Sequence, residues 1–142
     1  MPERVIHGRR PIYDNEVVDS FWEKSMKENI LVDLSKQFAI DIITLCGKTR
    51  ERKASYVLTN QLLRCGTSIG ANVHEANYAS SRADFVNKLQ IALKECYESD
   101  YWPNIFVETK IITDEEYRYI YVKCCKIRTL LTASINTAKS NL

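Results

Sequence analysis

A chain of 142 residues with 20 basic and 18 acidic side chains, net +2, has room for one domain with a real core, and its total charge is too even to identify a nucleic-acid binder. Hydrophobic residues make up 45% and charged residues 27%, with only 4 glycines and 3 prolines, which excludes a disordered, collagen-like or turn-rich all-β chain. The five cysteines are odd in number, form no CxxC and follow no secretory leader, and no apolar run approaches the ~20 residues of a membrane span; we expect reduced thiols in a soluble cytoplasmic protein with no membrane contact.

Residues 1–28 show weak periodicity, with Gly8, Pro11, mixed charge and the pair Phe21–Trp22. They read as an N-terminal arm, partly ordered, in which Val17, Val18, Phe21 and Trp22 are placed to form a short docking turn. From Asn29 the pattern changes. Leu31, Leu34, Phe38, Ile42 and Leu45, widened by Ala39, Ile43 and Cys46, recur at the 3.6-residue period of an amphipathic helix that runs to about Arg50. A basic connection, Lys48 to Lys53, follows.

Ser55 is a candidate N-cap for a second helix whose seam is Leu58, Leu62, Cys65, Ile69, Asn72 and Ala76. Ser80 or Ser81 caps a third, with Phe85, Leu89, Ala92, Cys96 and Ser99 on its seam. Pro103 lacks a backbone donor and clashes with the preceding turn, so it kinks that helix or ends it. Thr113 and Glu116 make a capping box for a fourth helix, with Tyr117, Ile120, Cys124, Ile127, Leu131, Ser134 and Ala138 in heptad spacing. Four helices joined by short connections, with no strand pattern, predict an all-α, antiparallel up-down-up-down four-helix bundle over residues 29–142. A three-helix arrangement with the first helix docked outside is the competitor.

Gly66 and Gly70 lie one turn apart among Thr67, Ser68 and Ala71. Each glycine costs about 1 kcal/mol against alanine in a helix interior, so this face requires a close neighbour. Two neighbours fit: another helix of the bundle, or a second subunit. Asn72 falls on the predicted seam and needs hydrogen-bond partners, with Glu98 a candidate from the third helix. Glu75 precedes the turn, where it can cap amides of the helix that follows.

Chemistry finds little purchase. His74-Glu75 is not HExxH, because Tyr78 stands where the second histidine belongs. A di-metal bundle needs Glu-x-x-His motifs, and there are none. We therefore expect no enzyme, cofactor, metal or small-molecule substrate. Basic residues cluster instead: Lys48, Arg50, Arg52 and Lys53 at one end of the bundle, and Lys123, Lys126 and Arg128 on the fourth helix. Such clusters are ordinary solvated faces in many proteins. Repeated around a ring they would hold phosphate backbones without reading sequence.

The segment from Gln61 through Leu62, Arg64, Ser68, Ile69, Asn72 and Glu75, followed by Phe85, Leu89, Ala92, Glu95 and Glu98, resembles the four-helix-bundle family named for rRNA intervening-sequence proteins of bacteria. The likeness covers about residues 27–139, with Val73 in place of the usual Ile and Pro103 in place of the usual Leu. It implies a short bundle assembled into a homopentamer, with no established enzyme activity. The related accessory protein of diversity-generating retroelements binds RNA and its reverse transcriptase on a basic surface. Two functions follow as expectations. One is a homo-oligomeric scaffold touching RNA or DNA backbone. The other is a protein-binding oligomeric adaptor with no nucleic-acid role.

Overall fold

The computed structural model describes the backbone of residues 15–140 and the side chains of residues 30–140. Four helices follow one another: α1 (Asn15–Glu51), α2 (Tyr56–Ala76), α3 (Arg82–Glu108) and α4 (Asp114–Ser140). Each packs against its neighbours in sequence, and α1 closes the square against α4. This is the antiparallel four-helix bundle, and the three-helix competitor falls because α1 lies between α2 and α4.

Local chemistry sets the helix ends. The Ser81 hydroxyl accepts from the Asp84 amide at 3.1 Å, while the Asp84 carboxylate accepts from the Ser80 amide at 3.1 Å. At α4 the capping box is reciprocal: Thr113 Oγ1 accepts from the Glu116 amide at 3.1 Å, and Glu116 Oε1 accepts from the Thr113 amide at 2.9 Å. Ser55 stands at the start of α2, but its hydroxyl makes no capping bond. α1 and α3 end alike. Lys53 and Lys110 adopt left-handed φ values of 59° and 61°. The Ala54 and Ile111 amides reach back to the Thr49 and Phe106 carbonyls, and those of Lys53 and Lys110 to Arg50 and Val107, the Schellman pattern usually built around glycine.

The core is the predicted stripe with local shifts. Leu31, Phe38, Ile42 and Leu45 of α1 are buried against Leu62, Cys65, Ile69, Leu89, Ala92, Cys96, Ile120, Cys124, Ile127 and Leu131. In α2 the seam position assigned to Asn72 belongs to Val73. Val86 likewise takes the place of Phe85, and Ile135 that of Ser134. A strict heptad drifts about 20° per repeat against a straight helix, so the buried stripe steps by one residue. At Val73 and Ile135 the step buries an aliphatic side chain instead of an amide or hydroxyl, whereas Ser35 and Thr59 are buried beside half-buried Leu34 and Leu58, their hydroxyls bonded to the Val32 carbonyl and to Thr49. Asn72 is half-buried and donates to the Ser68 carbonyl at 2.8 Å, so its amide is satisfied within α2 and has no link to Glu98. Pro103 is buried inside α3, which runs through it to Glu108; it removes one backbone bond without ending the helix.

α1 starts at Asn15, so helical backbone extends into the residues assigned to the arm. The docking turn expected of Val17, Val18, Phe21 and Trp22 concerns side chains outside the described residues, as do residues 1–14.

The glycine face points at α1. A Cβ on Gly66 would lie 2.8 Å from both Cγ1 and Cγ2 of Ile42, and one on Gly70 would lie 3.2 Å from the backbone oxygen of Ser35. The small residues therefore serve contact within the bundle. Because Ile42 is β-branched and fully buried, it has no slack to yield. Gly66→Ala gains the helix propensity of alanine, about 1 kcal/mol, but overpacks Ile42 at a cost of about 1–3 kcal/mol. We expect net destabilisation, read as a lower midpoint in urea unfolding; a midpoint at or above that of the parent would show that α1 gives way.

Candidate interaction surfaces

The first basic cluster sits at the C-terminal end of α1, and its cations have different fates. Arg52 donates to both oxygens of Glu116, at 2.8 and 3.1 Å, and to the Ile111 carbonyl at 3.1 Å. Lys48 approaches the same carboxylate at 3.9 Å. Arg50 donates to Asn60 Oδ1 at 3.3 Å and lies 5.7 Å over the Tyr56 ring. Lys53 is exposed in its left-handed turn. Arg52 is therefore an internal tie joining the end of α1 to the start of α4, through a partner 64 residues away.

The second cluster divides in the same way. Lys123 pairs with Asp41 of α1 at 2.5 Å and donates to Tyr119 Oη at 2.6 Å. Arg128 lies 3.6 Å from Asp100 of α3, 3.0 Å from Cys125 Sγ and 5.3 Å over the Tyr97 ring. Lys126 remains exposed. Five of the seven candidate cations thus reach another helix: Arg52, Lys123 and Arg128 most closely through carboxylates, Lys48 at the edge of the Glu116 pair, and Arg50 through Asn60 and Tyr56.

On the α2–α3 side Arg64 donates to Glu95 at 3.2 Å and to Glu98 at 2.6 Å, and Trp102 Nε1 donates to Glu98 at 3.3 Å. The Arg64 hydrogen bond leads the causes that hold the Glu98 carboxyl below its ordinary range. Glu75 pairs with Lys88 at 2.8 Å. It therefore does not cap α3, where Asp84 and Ser81 do that work. Arg64, Glu75, Glu95 and Glu98, four of the polar residues that carried the family likeness, thus bind the second helix to the third.

All five cysteines are free thiols, four buried and Cys125 half-buried. Burial pushes Cys46 and Cys65 up to about 11. Cys96 and Cys124 face each other at 3.4 Å between sulfurs, and that contact, with burial, raises the Cys124 thiol. Thiols so far from ionisation are poor nucleophiles and poor ligands. Among the described residues no group of three or more His, Cys, Asp or Glu side chains could hold a metal. None of their helices is long and apolar enough to cross a membrane.

A groove of about 490 Å³ runs between α1 and α4, floored by Leu45 and Ile120 and edged by Asp41, Lys48, Glu115 and Tyr119. Asp41 is engaged by Lys123, so the groove offers no nucleophile–base pair. Sequence reasoning missed the exposed apolar residues. Ile40 and Ile43 are 47% and 54% exposed on α1, Tyr119 and Val122 54% and 61% on α4, and Tyr97 and Tyr101 56% and 55% on α3. Ile43 was expected to widen the buried stripe of α1 and instead faces outward; the others were legible as apolar residues off the seam.

The Glu116 carboxyl is held at about 2, first by the Arg52 hydrogen bonds and then, against burial, by the Thr113 amide. An unfolded glutamate titrates near ~4.3. The pair therefore stabilises the fold above about pH 4.3, and its contribution is lost as pH falls toward 2. Glu116→Gln keeps a capping side chain but removes the charge. We expect its melting temperature to fall less steeply than the parent's between pH 4.5 and 2; parallel curves would refute this role.

The profile of a protein family described as 23S rRNA-intervening sequence protein matches residues 27–133. A solved structure of a protein of unknown function from the S23 ribosomal protein family of Bacteroides thetaiotaomicron is similar, at 45% identity and a TM-score of 0.75. The match covers 78% of this chain and 98% of that one. Among curated proteins nothing matches. Neither description names a reaction.

Proposed function

The chain belongs to the 23S rRNA-intervening sequence protein family, and from that premise we propose that it is a non-enzymatic scaffold that acts as an assembly of its own copies. The observation that carries this reading is the exposure of Ile40 and Ile43 on α1 together with Tyr97 and Tyr101 on α3. Apolar and aromatic side chains gathered on the outer faces of a bundle whose core is already complete mark surfaces that association covers. The two faces differ in composition, as a ring of identical subunits requires. A homopentamer is the assembly that the family likeness implies. Unreactive buried thiols agree with a non-catalytic role and with a reducing cytoplasm.

Light scattering on the purified protein tests the assembly. We expect a mass several times the 16.5 kDa of one chain, falling on dilution. A mass of one chain at every concentration ends this reading.

A second reading keeps the nucleic acid. Lys48, Arg50 and Lys53 remain clustered at one end of the bundle, and Lys126 lies exposed on α4. Repeated in an assembly, they would hold phosphates, while Arg52, Lys123 and Arg128 contribute less because each is more closely engaged with a carboxylate than Lys48, which stands 3.9 Å from Glu116. Here we expect RNA binding at low salt that weakens steeply as salt rises and is lost when Lys48, Arg50 and Lys53 are all changed to Glu. Absence of binding at low salt leaves the protein-binding assembly alone.

A further inference from the structure

We propose that the outward face of α1 in one copy packs on the tyrosine-bearing outer face of α3, beside α4, in the next copy, with α1 and that α3 running parallel. The inference rests on the reading that the protein assembles with itself, and it names the two surfaces that meet.

The α1 face is a narrow aliphatic stripe. Ile40 and Ile43 stand on the side of the helix opposite Phe38, Ile42 and Leu45, which are buried. Gly47 continues the stripe one turn on, and a Cβ there would meet nothing within 4 Å. Asp33 lies seven residues before Ile40 and Arg50 seven after Ile43, both exposed on the same side of α1. Both also have contacts within their own copy, Arg50 with Asn60.

The α3–α4 face is aromatic, and several of its rings are held in place. Tyr97 lies beneath the Arg128 guanidinium at 5.3 Å, and Tyr117 and Tyr121 have ring centres 5.7 Å apart. Asn104 Nδ2 donates to Tyr117 Oη at 3.3 Å. Tyrosine rings fixed in this way lose little entropy when something covers them, and tyrosine is enriched at protein interfaces. On α3, Lys94 lies seven residues before Tyr101 and Glu108 seven after it, both exposed.

The two faces match in order as well as in kind. Along α1 an acid and a base bracket the aliphatic pair, with exposed Lys36 also on this side; along α3 a base and an acid bracket the tyrosine pair. Asp33 opposite Lys94 sets Ile40 beside Tyr101 and brings Arg50 within a turn of Glu108. Reversing one helix would set Asp33 against Glu108 and Arg50 against Lys94, two like-charge contacts. Only the parallel arrangement satisfies all three matches. In this bundle α1 and α3 already point the same way, so rotation about an axis along the bundle keeps them parallel. The two faces are unlike, so the contact is head-to-tail, the kind from which closed rings are built.

Light scattering across a dilution series of the full chain tests this, with circular dichroism to confirm that each variant stays folded. Ile43→Glu and Tyr101→Glu, both at exposed positions, are expected to raise the concentration for half-assembly at least about tenfold. Asp33→Lys and Lys94→Glu each weaken assembly at low salt, and the two together restore it. A parent that assembles while Ile43→Glu and Tyr101→Glu leave its mass unchanged overturns this interface and leaves the assembly standing. Failure of the charge exchange to restore assembly overturns the parallel pairing. A parent that never assembles overturns both the interface and the reading beneath it.

Discussion

At Gly66 the branched side chain of Ile42 fills the space that a Cβ would occupy, and at Gly70 the backbone of Ser35 lies where a larger side chain would collide. This approach of α1 to α2 fixes the depth at which α1 sits, and other features follow from it. Because α1 lies deep, Phe38 and Ile42 are fully buried. Ile40 and Ile43 are then left exposed on the far side.

Charge follows a similar economy. Arg52–Glu116 and Lys123–Asp41 join α1 to α4, Arg64 joins α2 to Glu95 and Glu98 of α3, and Arg128–Asp100 joins α4 to α3. Each exposed pair is worth little alone, typically below ~1 kcal/mol. Together they set how far one helix slides along the next, a freedom that a core of small and aliphatic residues leaves loose. Much of the basic character read along the sequence is thereby neutralised within the fold. What the bundle presents outward is more apolar and aromatic than its balanced composition implies.

The helices, their caps and most of the core were legible in the sequence, because a capping box and a 3.6-residue stripe are local signals. Thr113 and Glu116 pair as their spacing predicts and Ser81 caps α3, while Ser55 makes no capping bond for α2. Asn72 and Ser134 were misplaced for a geometric reason: a heptad drawn by rule ignores the drift of a straight helix, and Val73 and Ile135 each sit one residue away. Which neighbour the glycines required was open, since small residues declare close contact but not with what. The fate of the cations was hidden for a different reason. Arg52 and Glu116 are 64 residues apart, Lys123 and Asp41 82, and no periodicity links them. The beginning of α1 was missed because its first turns precede the stripe on which the prediction relied.

α1 has 37 residues where α2 has 21, so at 1.5 Å per residue it measures about 55 Å against about 31 Å. Leu31 lines a small cavity with Val73 and Ala76, at the end of α2, so the surplus all lies beyond one end of the bundle. In any assembly whose copies run parallel, these rods rise together from a single rim, while the opposite rim carries the two lysine-centred turns. Such a particle has a crown and a base of unlike chemistry, and whatever it meets can tell one pole from the other.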